Sequence, residues 1–279
     1  MAYEYELLTV EVDERLACVT ISNPPINLMT PDLYNELRNV CIELEHDDSL
    51  SVVLFKSANP DFFIAHFDVE AILQFPTDDE PRREAELNPF HQMCERVRIM
   101  DKVTIAQIEG RVGGGGSEFV SSMDMRFGVS GRTVVNQMEV PIGILPGGSG
   151  TQRLPRLIGT GRALEVILGG EDLDSETAEK WGYLNRVFEA NEIEEWVANL
   201  AKRIAGFPVS AVRLAKEAVL ASEGPIEEGL REEAYLFAQL LRTPESQSQM
   251  KQFLELGGQT KDGELQVGKL SGKLELKDS

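Results

Sequence analysis

The sequence predicts an α/β protein, and three observations support that class. Two alternating apolar runs, residues 5–12 and 16–22, flank a polar turn at residues 13–15, which is the pattern of a β-hairpin. Short apolar runs then alternate with segments whose apolar residues recur at helical spacing. After a second glycine-rich loop at residues 143–150, helical patterns dominate to the end. Alternating strands and helices are typical of layered α/β proteins, in which ligands collect at strand ends.

Helix-start signals divide the first half of the chain. The Thr-Pro pair at residues 30–31 is typical of an N-cap and a first helical position, and leucines follow at helical spacing. Residues 51–55 and 103–109 are apolar enough to be buried strands. Residues 68–88 lack periodicity and carry many charges, so we expect a mobile loop or lid there. The Asn-Pro pair at residues 88–89 begins the next helix.

The last third of the sequence predicts helices that associate with other subunits. Three segments each begin with proline and continue amphipathically: residues 208–221, 225–242 and 244–256. Glycines, lysines and acids then alternate without a core pattern, which predicts a weakly ordered tail unless a partner subunit holds it. We therefore divide the chain into a core of residues 1–205, a helical oligomerisation region of residues 206–257 and a tail of residues 258–279.

Charge and cysteine usage limit the partners. The 279 residues include 27 Lys and Arg against 47 Asp and Glu, which gives a net charge of −20. Such a surface repels phosphate backbones and anionic lipids, so we expect neither nucleic acid nor membrane as a partner. The three cysteines lie far apart without metal or disulfide spacing, and the N-terminus lacks a signal-peptide pattern. These features favour a reducing, cytoplasmic location and no metal.

A run of four glycines, residues 113–116, is the first candidate site. An apolar run at residues 103–108 precedes it, and residues 117–123 can begin a helix. A strand, a glycine turn and a helix start place bare N–H groups together at a positive helix end, which suits an anion or an oxygen that becomes one. Glu118 is then within reach of the bound group. A flexible linker is the alternative, so the interpretation depends on partners elsewhere.

A second segment, residues 61–68, follows the strand at residues 51–55 and carries small Ala65 between bulky neighbours. Further motifs occur in this order: Asn-Pro-Pro-Ile-Asn at 23–27, Phe-Ile-Ala-His-Phe-Asp at 63–68, the glycine–Glu segment at 108–118, Gln-Met-Glu at 137–139, Pro-Gly-Gly-Ser-Gly-Thr-Gln-Arg-Leu at 146–154 and residues 175–187. With this order and spacing the chain resembles the enoyl-CoA hydratase/isomerase, or crotonase, superfamily over about residues 5–256.

The resemblance implies a crotonase-like spiral of ββα units whose C-terminal helices assemble trimers, often paired into hexamers. It implies that the backbone N–H groups of Ala65 and Gly115 form an oxyanion hole for a thioester carbonyl. It also implies that Glu118 and Glu139 handle a water and a proton. Addition of water to an enoyl thioester places negative charge on the thioester oxygen, which two N–H donors stabilise while the carboxyls act as acid and base.

Two departures from the family pattern leave alternatives open. His66 stands where relatives usually have glycine, and Phe67 where they usually have alanine. The imidazole is an extra acid/base, a hydrogen-bond donor to the ligand, or a packed structural side chain. The leading hypothesis is an acyl-CoA hydratase or isomerase. The alternatives are a crotonase-fold lyase or hydrolase that uses His66 on a CoA-free carbonyl compound, and a catalytically silent oligomeric binding protein.

The basic contacts for CoA are sparse in this sequence. Lysines of relatives correspond to Asp61, Glu70 and about Leu256 here. We expect a CoA thioester as substrate and no cofactor. The expected substrate-binding residues are Gly114, Arg111, Phe67, Asp68 and Lys56, and the tail offers Lys261, Lys269, Lys273 and Lys277.

Overall fold

The computed structural model describes residues 3–78, 80, 82–274 and 276. The expectations for Asp79 and Pro81 in the lid and for Lys277 in the tail lie outside these residues. A six-stranded sheet contains, as neighbours, β1 (Leu8–Asp13), β2 (Leu16–Ile21), β3 (Val52–Ser57), β5 (Val103–Ile108), β7 (Met125–Val129) and β10 (Arg186–Phe188). A smaller sheet contains β4 (Phe62–Ile64), β6 (Arg111–Gly113), β8 (Val134–Asn136) and β9 (Leu173–Asp174).

The strands follow the spiral that the sequence predicted. After the antiparallel β1–β2 hairpin, three turns each place one parallel strand in the large sheet and the next in the small sheet, and then a helix follows. The chain then adds β9 antiparallel to β8 and, after one helix, β10 parallel to β7. The helices of the core are α1 (Pro31–Glu45), α2 (Val69–Ile72), α3 (Pro89–Ile99), α4 (Gly114–Val120), α5 (Gly150–Ile158), α6 (Thr160–Gly169), α7 (Ser175–Trp181) and α8 (Ile193–Ala205). The fold class is therefore confirmed.

The C-terminal helices are α9 (Val209–Leu220), α10 (Ile226–Leu240), α11 (Pro244–Glu255), α12 (Lys261–Glu264) and α13 (Val267–Ser271). The last two lie in the tail that the sequence predicted to be weakly ordered. Leu270 is buried there, and Arg203 of α8 donates to the Gly268 carbonyl at 2.7 Å and to the Ser271 hydroxyl at 3.0 Å. Helices of four and five residues are too short to produce a periodic pattern, so the sequence did not indicate them.

The two faces of the large sheet are covered by different helices. Phe55 of β3 points to the face covered by α4, where its ring meets Phe119 edge-on with centroids 5.5 Å apart. Side chains alternate along a strand, so Lys56 points to the opposite face, which α8 covers. There its ammonium lies 3.4 Å from the Glu194 carboxylate. Lys56 therefore faces away from α4, the helix that contains the glycine run.

The segment predicted as a lid, residues 68–88, begins with one turn of helix, α2. The Asp68 carboxylate caps that turn by accepting from the N–H groups of Glu70 at 2.9 Å and Ala71 at 3.4 Å. The irregular part ends where the Asn88 side chain caps α3. In the described part of the chain, no helix is both long and apolar enough to cross a bilayer.

Candidate active site

The glycine run forms the first turn of α4. The sequence predicted a helix start at Ser117, whereas α4 begins at Gly114, which has a φ of +46° that favours glycine. A Cβ at Gly116 would lie 2.7 Å from the Ile64 Cβ, so only glycine allows α4 to lie this close to β4. The first N–H groups of a helix have no acceptor within the helix, so those of this turn are available to a ligand. Gly115 is among them.

The N–H of Ala65, which the resemblance assigns to the oxyanion hole, has another partner. It donates to the Ile26 carbonyl at 3.3 Å. A group that is engaged by the backbone is not free to bind a substrate oxygen. The structure thus argues against Ala65 as a donor, and the reason is a backbone contact with the residue 23–27 motif that sequence alone does not show.

Phe67 places its N–H beside Gly115 instead. The Met29 N–H donates to the His66 carbonyl at 2.9 Å, and the Asp68 N–H donates to the Met29 carbonyl at 3.0 Å. These two hydrogen bonds form a parallel β-bridge between Met29 and Phe67. In such a bridge the N–H of Phe67 itself points away from Met29. A Cβ at Gly115 would lie 3.6 Å from the Phe67 nitrogen. Two N–H groups from separate segments therefore lie next to each other.

Glu118 is buried on α4 and held by the second glycine-rich loop. Its Oε1 accepts from the N–H groups of Gly148 at 2.7 Å and Gly150 at 2.8 Å. Burial raises the pKa of Glu118 above its ordinary range, and these two hydrogen bonds, which favour the ionised form, offset only part of that rise. The carboxylate is therefore fixed in orientation. The sequence indicated this loop as a motif, but not that its backbone binds Glu118.

Glu139 supplies the second buried carboxyl. Burial, followed by the charge of Glu118, raises the pKa of Glu139 to about 7. With its amide oriented to satisfy its neighbours, Gln137 donates to the two Glu139 oxygens at 3.2 and 2.9 Å and accepts from the Ser117 hydroxyl at 3.1 Å. A Cβ at Gly114 would lie 3.0 Å from the Glu139 Oε1, so this carboxyl lies at the start of α4.

His66 lies at the same place but is tethered. Its Nδ1 lies 2.8 Å from the Phe67 carbonyl, and because a carbonyl only accepts, Nδ1 must carry the proton. A Cβ at Gly114 would lie 3.1 Å from the His66 Cβ. The structure thus brings His66, Gly114 and Glu139 together. The Nε2 atom of His66 is the ring nitrogen that remains for a ligand.

Three aromatic rings border the site, two of which sequence reasoning did not assign. We call Tyr34, Phe67 and Phe90 the aromatic triad. The ring centroids of Tyr34 and Phe90 are 5.9 Å apart and nearly parallel, while Phe67 meets both rings at steep angles with centroids 6.2 and 6.1 Å away. Phe90 follows Asn88 and Pro89 at the start of α3. The sequence predicted this helix start, but not that the Phe90 ring borders the site.

Three expected substrate-binding residues have other partners. Lys56 faces α8 and pairs with Glu194, on the opposite side of the large sheet from α4. Arg111 donates twice to the Asp172 carboxylate, at 2.6 and 2.5 Å, which neutralises its charge. Asp68 caps α2, as described above. These predictions came from residue type and position in the chain, and neither shows where a carboxylate or a helix start lies in space.

Comparison with known proteins decides the family. The family model for enoyl-CoA hydratase/isomerase matches residues 11–261. The chain belongs to the enoyl-CoA hydratase/isomerase family. It is similar to a short-chain-enoyl-CoA hydratase of Clostridium acetobutylicum, with 30% identity over 90% of this chain and 96% of that protein. A crotonyl-CoA hydratase of Syntrophomonas wolfei is likewise 30% identical, over 90% of this chain and 96% of the relative.

Solved structures support the same assignment. The crystal structure of an enoyl-CoA hydratase from Bacillus anthracis is similar, with a TM-score of 0.80 and 26% identity over 90% of this chain and 96% of that chain. This protein is therefore an enzyme of the enoyl-CoA hydratase/isomerase family with the α/β spiral that its sequence predicted.

Proposed function

We propose that this enzyme adds water across the 2,3 double bond of an acyl-CoA thioester, or removes it in the reverse direction. The observation that carries the proposal is the pair of buried carboxyls, Glu118 and Glu139, in unlike environments beside the first turn of α4. The names of the similar proteins, a crotonyl-CoA hydratase among them, support an enoyl-CoA thioester as substrate.

The oxyanion hole of this proposal consists of the N–H groups of Gly115 and Phe67. A thioester oxygen between them would also lie at the positive end of α4. Negative charge that develops on this oxygen when C3 is attacked would be stabilised by about 3 kcal/mol per donor, the size found for oxyanion-hole groups in other enzymes. Phe67 replaces Ala65 in this role because the Ala65 N–H donates to Ile26.

The two carboxyls then divide the proton transfers. Glu118, whose ionised form is favoured by the N–H groups of Gly148 and Gly150, orients the water and takes its proton as the oxygen bonds to C3. Glu139, with a pKa of about 7, delivers a proton to C2 as the enolate collapses. The product gains one water in total, and the two carboxyls exchange protons with solvent before the next turnover.

A double-bond isomerase is the nearest competing function. Moving a proton between two carbons requires one carboxyl that accepts and returns it, whereas hydration requires a base for water and an acid for carbon. Two carboxyls with different hydrogen-bond environments favour hydration. The CoA-free alternative built on His66 has less support, because the similar proteins are named as hydratases of CoA thioesters.

The charges that bind CoA belong to residues other than Lys56 and Arg111, since both are paired with carboxylates. The described tail lysines are exposed and remain candidates: Lys261, Lys269 and Lys273. We therefore propose a CoA handle with few cationic contacts, and hence sensitive to salt. A reducing, cytoplasmic location stays part of the proposal, and the cysteines are free thiols.

A homotrimer, alone or paired into a hexamer, is the proposed assembly. On α10, Ile226, Leu230 and Phe237 are 72%, 54% and 61% exposed, and their spacing places them on one helix face. Apolar stripes of this kind are typical of contacts between subunits. Sedimentation should show three or six copies, and Phe237→Glu should lower the mass. A wild-type monomer at micromolar concentration would contradict this part of the proposal.

The proposed reaction is tested by incubating the enzyme with crotonyl-CoA and identifying products by mass and chromatography. Hydration predicts a gain of 18 Da, the mass of one water, and a 3-hydroxyacyl product. Exchange of label from heavy water into C2 without net hydration would favour isomerisation or another enolate reaction. A complete lack of both would contradict the proposed function.

A further inference from the structure

Phe90 occupies the space between the two glycines that organise the site. Its Cζ lies 3.6 Å from the position of a Gly115 Cβ, and its Cε1 lies 2.5 Å from the position of a Gly148 Cβ. The latter position is also 2.5 Å from the Glu118 Oε2. The ring therefore borders both the proposed oxyanion donor and the carboxylate that orients water.

The aromatic triad holds this ring in place. Tyr34 stacks on Phe90 with the planes only 8° apart, and Phe67 meets it at 70°. Pro89 and the Asn88 cap fix the backbone from which the ring projects. A side chain with ring partners in two directions and a capped backbone has little room to turn away, because protein interiors are close-packed.

These contacts limit what can extend beyond the reacting carbons. In the proposed reaction the thioester oxygen is bound at Gly115 and C3 lies beside Glu118, and the Phe90 ring borders both positions. We propose that Phe90, held by Tyr34 and Phe67, closes the acyl pocket directly behind C3 and restricts this enzyme to short acyl chains of about four carbons. The inference rests on the proposed function because it uses the same oxyanion hole.

The chain-length profile tests the inference. Wild-type enzyme should prefer crotonyl-CoA over 2-octenoyl-CoA in kcat/KM, because each methylene that a pocket accepts or rejects changes kcat/KM by roughly 10-fold or more. Phe90→Ala should raise the ratio of octenoyl to crotonyl activity by about 10-fold or more, and Phe90→Leu by less. Phe188→Ala, verified as folded, is the matched control: Phe188 packs against Phe127 and Trp196 on the face of the large sheet that α8 covers, and this variant should keep the wild-type ratio.

Two results would overturn the inference. One is a wild-type enzyme that converts both thioesters equally well. The other is that Phe90→Leu and Phe90→Ala, each verified as folded by circular dichroism, both keep the wild-type ratio of octenoyl to crotonyl activity. If Phe90→Ala fails to fold, the wild-type profile and the milder Phe90→Leu variant still decide the outcome.

Binding of unreactive thioesters separates this inference from the proposed reaction. Calorimetry should show that wild-type enzyme binds butyryl-CoA more tightly than octanoyl-CoA, and that Phe90→Leu reduces the difference. That result without any hydration activity would leave the pocket inference standing and remove the proposed reaction. Hydration activity with equal binding of both thioesters would do the reverse.

Discussion

Glu139 is electrostatically coupled to Glu118. Burial and, second, the charge of Glu118 together raise the pKa of Glu139 to about 7. Glu118 is itself held by two backbone N–H groups that favour its ionised form. At neutral pH the pair can therefore carry one negative charge and one proton, which is the state that water addition requires.

The pH dependence of kcat/KM should reflect this coupling. Glu139 donates its proton only while it is neutral, so in the hydration direction kcat/KM should fall above about pH 7, by about tenfold per pH unit. Glu118 must be ionised, and because burial raises its pKa, an acid limb should lie above the ordinary range of a glutamate. Steady-state rates on crotonyl-CoA from pH 4 to 10 measure both limbs.

The Glu118→Gln variant provides the control for that experiment, through the pH dependence of its residual activity. Removing the charge of Glu118 removes one cause of the raised pKa of Glu139, so the alkaline limb should move to lower pH. An alkaline limb that stays in place in this variant would show that another group causes it. A wild-type rate that stays flat to pH 10 would contradict the assignment of Glu139 as the acid.

Gly148→Ala should disable the enzyme without removing a functional group. The new Cβ would lie 2.5 Å from the Glu118 Oε2 and 2.5 Å from the Phe90 ring, so the loop or the carboxylate must move. A displaced catalytic group commonly costs about 10²-fold in rate. We expect kcat to fall by about that factor while circular dichroism shows a folded protein.

Gly147→Ala is the matched control for Gly148→Ala. Gly147 is the preceding residue, is exposed, and its added Cβ would meet nothing closer than the Leu145 carbonyl at 3.7 Å. It should retain wild-type activity. Equal losses in both variants would mean that the loop tolerates no Cβ for a reason unrelated to Glu118.

Lys56→Ala should leave the KM for crotonyl-CoA within about twofold of wild type, since Lys56 forms a partly exposed ion pair and such pairs have small effects. Its side chain also lies on the face of the sheet covered by α8. Arg111→Ala should behave similarly because Asp172 already neutralises the guanidinium. An increase in KM of tenfold or more in either variant would place that cation at the CoA handle.

Much of the fold could be predicted from the sequence because its larger elements carry periodic patterns. The hairpin, the capped helices α1 and α3 and the C-terminal helices were predicted and are confirmed. The strands of the small sheet have two or three residues, which is too short for an alternating pattern. The start of α4 was missed because glycine has a low helix propensity, whereas close packing of Gly116 against Ile64 requires it.

The candidate site was predictable only in part. The motifs led to Gly115, Glu118 and Glu139, which the structure brings together at one end of α4. Backbone roles were not predictable, because the direction of the Phe67 N–H depends on a bridge to Met29 that is distant in sequence. Ion pairs between distant residues, such as that of Arg111, also leave no local signal.

The central claim is that Glu118 and Glu139 act as one acid/base unit, and the hydration rate of crotonyl-CoA by three variants tests it most directly. Glu118→Gln and Glu139→Gln should each lower kcat by roughly 10²-fold or more, because each removes one proton transfer. The double variant should be only slightly slower than the singles, since residues that act together are not additive. A folded single variant with the wild-type rate would contradict the account.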